Sequence, residues 1–212
     1  MSNVVQSIDY VAAACAIYRV NNNRMVKGSS TKYSSNAQLV QHFRGIALVE
    51  VTEADKQSAE TICTYLEQQV MLSKLTNKRF SEFVEGICIT INRPTINFIN
   101  ESIAVWAPSA YASLLAKDNE SSEFARVAIT SKYLGKVSAK IETNFVTVSK
   151  RWHREFRCFR YQGHDGAGNA VGFLSIDKFP ASIRISGNIK KVCVSAHTGC
   201  KVTILTYVKV AK

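Results

Sequence analysis

Three prolines and ten glycines in 212 residues are too few for a collagen-like or proline-rich low-complexity chain. No apolar run approaches the ~18 residues that a membrane span needs. The stretch from Met1 to Arg19 has no basic residue ahead of its apolar part and is broken by Gln6, Ser7 and Asp9, which argues against a secretory leader. The six cysteines (Cys15, Cys63, Cys88, Cys158, Cys193 and Cys200) include no C-x-x-C pair. Without an export signal they are expected as reduced, mostly buried thiols of a cytoplasmic protein. Cys193 and Cys200 with His197 between them supply three zinc ligands where a structural site needs four, so neither metal nor cofactor is expected.

Catalytic signatures are also missing. The chain has no P-loop, no H-E-x-x-H, no G-x-S-x-G and no nucleotidyl-transfer lysine motif of the K-x-D-G type. His164-Asp165 stands in a Gly-rich stretch and reads as a turn, where Asp, Gly and Asn tolerate positive φ. Acidic residues are scarce beyond residue 120, namely Glu123, Glu142, Glu155, Asp165 and Asp177, too few to suggest a two-metal nuclease. The protein is therefore expected not to be an enzyme.

What the chain does have is a core-forming 46% of hydrophobic residues and a net charge of +11. That charge is unevenly placed. Residues 1–120 hold eleven basic and eleven acidic side chains, whereas residues 121–212 hold sixteen and five. The whole excess lies in the second part, for which a polyanion is the natural partner. A domain boundary is expected near residue 120.

Hydrophobic periodicity changes along with the charge. The first part reads as helical. Val4, Ile8, Val11, Ala12, Cys15 and Tyr18 make one stripe, and Ser35 is placed to cap a helix through Leu39, Phe43 and Ile46. Thr52 precedes the clearest helix, with Ala59, Ile62, Cys63, Leu66, Val70 and Leu75 on its apolar side. A further helix is expected from about Arg79, burying Phe83, Val84, Ile87 and Cys88 until Pro94 stops it. Another carries Ile99, Ile103 and Trp106 up to Pro108, and Tyr111, Leu114 and Leu115 mark a last short segment. The aromatics here read as core, and no constellation suggests chemistry. Self-association or docking to another protein is the expected role of this part.

From about Phe124 the period becomes two. Residues 137–148, 154–162, 169–176, 182–194 and 200–210 read as strands rich in β-branched and aromatic residues. Turn signals separate them at Ser149 to Arg151, Gly163 to Gly168, Asp177 to Pro180 and Ala196 to Gly199. Five short strands without an intervening helix fit a small closed barrel, the OB-fold plan. Gly187, inside the fourth strand, suits the bend that such a barrel needs. The expected fold class is α+β: a helical N-terminal domain followed by a five-stranded OB-fold β-barrel.

The order of motifs in the last third of the chain supports this plan. Asp165 to Asn169 forms a D-G-N-like turn, followed by a strand ending at Ser175. Gly187-Asn-Ile-Lys190 lies on the next strand. Gly199-Cys-Lys201-Val-Thr203-Ile-Leu205-Thr206 returns to Val208-Lys209-Val210. This series resembles the OB-fold domain of bacteriophage replication-type, single-stranded-DNA-binding proteins. The resemblance implies a ligand face on the second and third strands, flanked by the loops between strands one and two and between strands four and five.

The residue types suit that face. Lys150 to Tyr161 holds five Lys/Arg and four aromatics in twelve positions. Alternation puts Arg157, Phe159 and Tyr161 on one side, and Trp152, Arg154, Phe156, Cys158 and Arg160 on the other. Phe156 and Cys158 read as core, and Arg157 and Tyr161 as surface. The expected nucleic-acid-binding set is Lys150, Arg151, Trp152, Arg154, Arg157, Phe159, Arg160, Tyr161 and Phe173, with Lys190, Lys191, His197 and Lys201 rimming the groove. Arginine and lysine would track phosphates and the aromatics would stack bases. The expected function is non-catalytic binding of single-stranded nucleic acid, with DNA as the expected strand, in phage-like replication, recombination or repair. The location would be the cytoplasm, that of the host for a phage-encoded chain. The alternative is an adaptor whose basic barrel binds a host or viral protein complex or structured RNA.

Overall fold

The computed structural model describes residues 3–27, 34–76, 80–195 and 199–211. They form two compact units, Met1–Leu115 and Ala116–Lys212.

In the first unit, strand β1 (Val4–Gln6) leads into α1 (Ser7–Val20). Every residue of α1 from Tyr10 to Ile17 is buried. A helix apolar all round is a core helix, and its alanines let neighbours approach closely. Helices α2 (Ser35–Phe43) and α3 (Glu53–Thr76) both pack on it. Leu39 of α2 and Ala59, Ile62 and Leu66 of α3 join the same buried cluster.

The start of α3 is a reciprocal cap. Thr52 Oγ1 accepts from Asp55 N at 3.3 Å, while Thr52 N and Oγ1 donate to Asp55 Oδ2 at 2.9 and 2.7 Å. Arg19 adds two donors to the same carboxylate at 3.1 and 2.9 Å. Burial pushes the Asp55 carboxyl upward, but the hydrogen bonds from Arg19 and Thr52 outweigh it and hold the group below its ordinary value. The unit continues with α4 (Glu82–Ile91), β2 (Thr95–Asn97), a 3-10 turn (Ser102–Trp106) and the start of α5 (Ala107–Thr130), whose residues from Ala116 on belong to the second unit. Strand β2 pairs antiparallel with β1.

Several expectations for this part need correction. Val4 lies in β1 rather than on a helical stripe, and Ile8, Leu75 and Phe83 are 39%, 81% and 46% exposed. Ser34, one residue before the expected cap, accepts from Ala37 N at the start of α2. The expected helix start at Arg79 lies outside the described residues, and Ser81 caps α4 through Val84 N. Pro108 does not end a helix. It sits in the first turn of α5, where its missing N–H would have been unsatisfied anyway. Helix α5 runs on past Phe124, because Val127 one turn later buries itself against Ala170 and Cys200.

In the second unit, β3 (Lys140–His153), β4 (Cys158–Asp165), β5 (Ala170–Ser175), β6 (Ser182–Val194) and β7 (Lys201–Val210) close a barrel in the order β3-β4-β5-β7-β6. All neighbours are antiparallel except β5 and β7. The protein is thus α+β, with a helical N-terminal part and a closed five-stranded mixed barrel that is compatible with the OB plan.

The barrel core is aromatic. Tyr161 and Phe173 stack at 5.0 Å, and Phe179 stands edge-on to both. Tyr161 Oη donates to Asp177 O and accepts from Phe179 N, each at 3.0 Å, which ties the β5–β6 link to the barrel. Gly163 is required by close approach, since a Cβ there would lie 1.9 Å from Val146 O, beside the bulge between Thr147 and Ser149. Gly187 sits at the register shift where β6 serves both β3 and β7, as its place in the sequence suggests.

Two turns differ from expectation. Strand β3 does not stop at Ser149 to Arg151 but continues to His153, and Arg154-Glu155-Phe156-Arg157 makes the turn into β4. Arg157 takes a φ of +47° there, in the left-handed region where Asn or Gly is usual. Strand β4 then includes Gly163 to Asp165. The Asp165 carboxylate accepts from Ala167 N, Asn169 N and Asn169 Nδ2. That is a turn-closing role, as read for His164-Asp165 from the sequence.

Candidate nucleic-acid interface

Alternation along β3 and β4 sends Arg151, His153, Arg160 and Gln162 to the outside of the barrel, with Arg151 opposite Arg160. Gly172 lies opposite Gln162, and Ile204 opposite Gly172, so β5 and β7 continue the same surface. Two clefts lie on it. One, of about 300 Å³, is bounded by His153 and Phe156 at the hairpin end, by Lys190 of β6, and by Leu174, Ile204 and Thr206. The other, of about 650 Å³, lies between Arg151, Gln162 and Val202 on the strands and Glu120, Ser121 and Phe124 on α5, with Cys200 beside them. Both clefts include Arg160 and Gln162. They form one groove across the outer face of β4, β5 and β7. Gly172 keeps its floor low, since a Cβ there would stand 3.2 Å from Ile204 Cδ1.

The groove has an aromatic end and an acidic end. Phe156 is 58% exposed at the hairpin tip and stacks on His153 at 4.7 Å. At the other end Glu120 takes both of its carboxylate oxygens to Arg151 Nη2, at 2.8 and 2.9 Å. One turn on, Glu123 pairs with Arg126 and with His164 Nε2 at 3.1 Å. The hydrogen bond from Arg126 is the main reason the Glu123 carboxyl lies below its ordinary value.

The structure divides the expected binding residues. It brings Arg151, Arg160 and Lys190 to the groove. Arg154 and Arg157 are exposed on the hairpin turn, and Lys191 and Lys201 are exposed elsewhere on the barrel. Lys150, Trp152 and Phe159 lie on the other face of the hairpin. There Trp152 packs edge-on to Phe159 at 4.9 Å and the Lys150 ammonium sits 4.7 Å from the Phe159 ring. His197 lies outside the described residues.

Two expectations are overturned by burial. Tyr161 is 0% and Phe173 3% exposed, so neither ring offers a face to a base. Phe156, expected in the core, is exposed, whereas Cys158 is buried as expected. Trp152 shares its face with Phe159 rather than with Arg160, because the turn at 154–157 interrupts the alternation. His153, Gln162, Leu174, Ile204 and Thr206 were not singled out by sequence. A correct placement of the hairpin turn would have found His153 and Gln162, whereas Leu174, Ile204 and Thr206 join them only through the pairing of β5 with β4 and β7.

Among the described residues no three His, Cys, Asp or Glu side chains are grouped so as to hold a metal ion. No helix among them is long and apolar enough to cross a membrane. Compared with models of protein families, with curated proteins and with solved structures, the chain matches none.

Proposed function

We propose that the barrel binds single-stranded nucleic acid along the outer face of β4, β5 and β7, without catalysis. The observation that carries this reading is the continuous groove that joins the exposed Phe156–His153 stack to the exposed Arg160 and Lys190. Single strands present both base faces and phosphates, so a groove for them needs an aromatic platform beside cations. The unit carries a large basic excess to attract the strand, and its apolar floor at Leu174 and Ile204 suits unpaired bases. Phe156 stacks a base, and Arg160 and Lys190 hold the phosphates on either side. DNA is the strand proposed, in a phage-like replication, recombination or repair setting. The helical unit serves docking or self-association.

Salt titration of the full chain with single-stranded DNA, duplex DNA and RNA tests this. Single strands are expected to bind tightest, with a log–log salt slope of about −0.7 per phosphate neutralised. Arg160→Gln should flatten that slope by about 0.7. Phe156→Ala should weaken binding by roughly 1–3 kcal/mol and leave the slope alone, because a lost stack releases no counterions. Duplex binding as tight as single-strand binding, or full affinity in both variants, would favour the adaptor reading instead.

A further inference from the structure

The groove is built mostly from a basic barrel, yet one end is walled by a carboxylate, that of Glu120. Glu120 and Glu123 are one turn apart on α5, and both reach onto the barrel. Glu120 is the informative one. Its two oxygens both accept from Nη2 of Arg151, the cation directly across from Arg160 on the neighbouring strand. A phosphate arriving at Arg151 would have to displace the carboxylate from Nη2 or share the guanidinium with it. It would then sit beside that carboxylate, since α5 keeps Glu120 at the rim of the same cleft.

We propose that Glu120 is an acidic stop that sets where the bound strand's phosphate track ends. Phosphates run from the hairpin end past Lys190 to Arg160 and go no further. The cleft beyond Gln162 is closed to phosphate. This rests on the single-strand reading above and adds a specificity determinant to it. Arg151 is thereby silent in the intact protein, although its residue type and exposure are those of a phosphate ligand.

The test is a double-substitution cycle in the full chain, with a fluorescein-labelled oligothymidylate as probe and the salt slope as readout. Glu120→Gln should release Arg151 and steepen the slope by about 0.7, which corresponds to about a five- to tenfold gain in affinity at 50 mM salt. Arg151→Gln alone should leave the slope unchanged, and in the Glu120→Gln background it should abolish the gain. Glu142→Gln, which breaks a longer pair with Arg184 at 3.5 Å between β3 and β6, removes the same charge away from the groove and should not steepen the slope. Glu120→Ala repeats the first arm should the amide form pair differently, and a thermal melt of each variant confirms the fold. If intact protein binds no single strand, both proposals fall. If it binds but Arg151→Gln already flattens the slope by 0.7, or Glu120→Gln leaves it unchanged, only the acidic stop is overturned.

Discussion

The helical unit and the barrel each bury a carboxylate, but satisfy it differently. Asp55 of the helical unit is 4% exposed and receives hydrogen bonds from the cation Arg19 and from Thr52, whereas Asp165 of the barrel is 5% exposed and accepts from the amides of Ala167 and Asn169. The aromatics of the helical unit meet in small groups among aliphatic residues, as where Phe43 lies between Tyr10 and Phe98 at 6.0 and 5.5 Å. In the barrel the core is a stack of aromatic rings, and the cations stand outside on the strands. A basic, aromatic-rich segment therefore carries two separate messages. Of its four rings Tyr161 lies in the barrel core and Phe159 packs against it, while its charges stand on the exterior. Trp152 and Phe156 are the exposed rings, at 53% and 58%, and Phe156 is so because a turn rather than a strand carries it.

The sharpest way to break this comparison is to truncate one ring of each kind. Tyr161→Ala should destabilise the barrel by about 3–5 kcal/mol, the usual cost of emptying a large buried aromatic site. Phe156→Ala should leave stability within about 0.5 kcal/mol. The two tryptophans, Trp106 and Trp152, fall in different units, so fluorescence-monitored denaturation of Trp106→Phe chains reports on the barrel. A large loss in Phe156→Ala, or a small one in Tyr161→Ala, would reverse the division between core and groove.

The buried carboxylate paired with a cation, Asp55, marks the helical side. Asp55→Asn should cost that unit roughly 1–3 kcal/mol, since donors on Arg19 and Thr52 lose a charged acceptor. The pH dependence has a fixed sign. The folded carboxyl lies below its ordinary value, so its contribution is fully present above the unfolded value of about 4. It is lost as pH falls through the lower folded value. Acid titration of Trp152→Phe chains, followed by Trp106 fluorescence, should show this loss, and Asp55→Asn should remove it. An acid transition unchanged in the variant would show that other groups control the helical unit.

Legibility in the sequence followed the same division. Strand periodicity, β-branched content and Gly-marked turns located β5, β6 and β7 closely, because each strand has one inward face and a turn with a chemical signature. The cap at Thr52 was equally readable. The β3–β4 hairpin was not, since Arg154-Glu155-Phe156-Arg157 contains no Gly, Asn or Pro and its left-handed residue is an arginine. That single misplacement turned Phe156 inward, Tyr161 outward and Trp152 onto the wrong face. In the helical part, Pro108 was read as a stop because proline marks a first turn and an end alike. Glu120 and Arg151 meet only through the fold, and nothing in their spacing announces the pair.

The smallest effect expected concerns the thiols, and it separates two cysteines of equal exposure class. Cys63 on α3 and Cys193 on β6 are both half-buried. Burial and the charge of Glu67 push the Cys63 thiol up to about 11; burial, with the charges of Asp55 and Cys63, takes its neighbour Cys15 to about 12, and burial with the charge of Glu85 takes Cys88 to about 11. The nucleophile is the thiolate. A rise from the ordinary value of about 8.5 to 11 leaves on the order of a hundredfold less of it near neutral pH. Cys193 stands on the exterior of a cationic unit and should react with a disulfide reagent well before Cys63, at no cost to either unit's stability. Peptide mapping of the first labelled site at pH 8 decides it. Labelling of Cys63 ahead of Cys193 would mean that α3 opens more readily than the barrel strand, and that the helical unit, for all its buried alanines, is the less protected of the two.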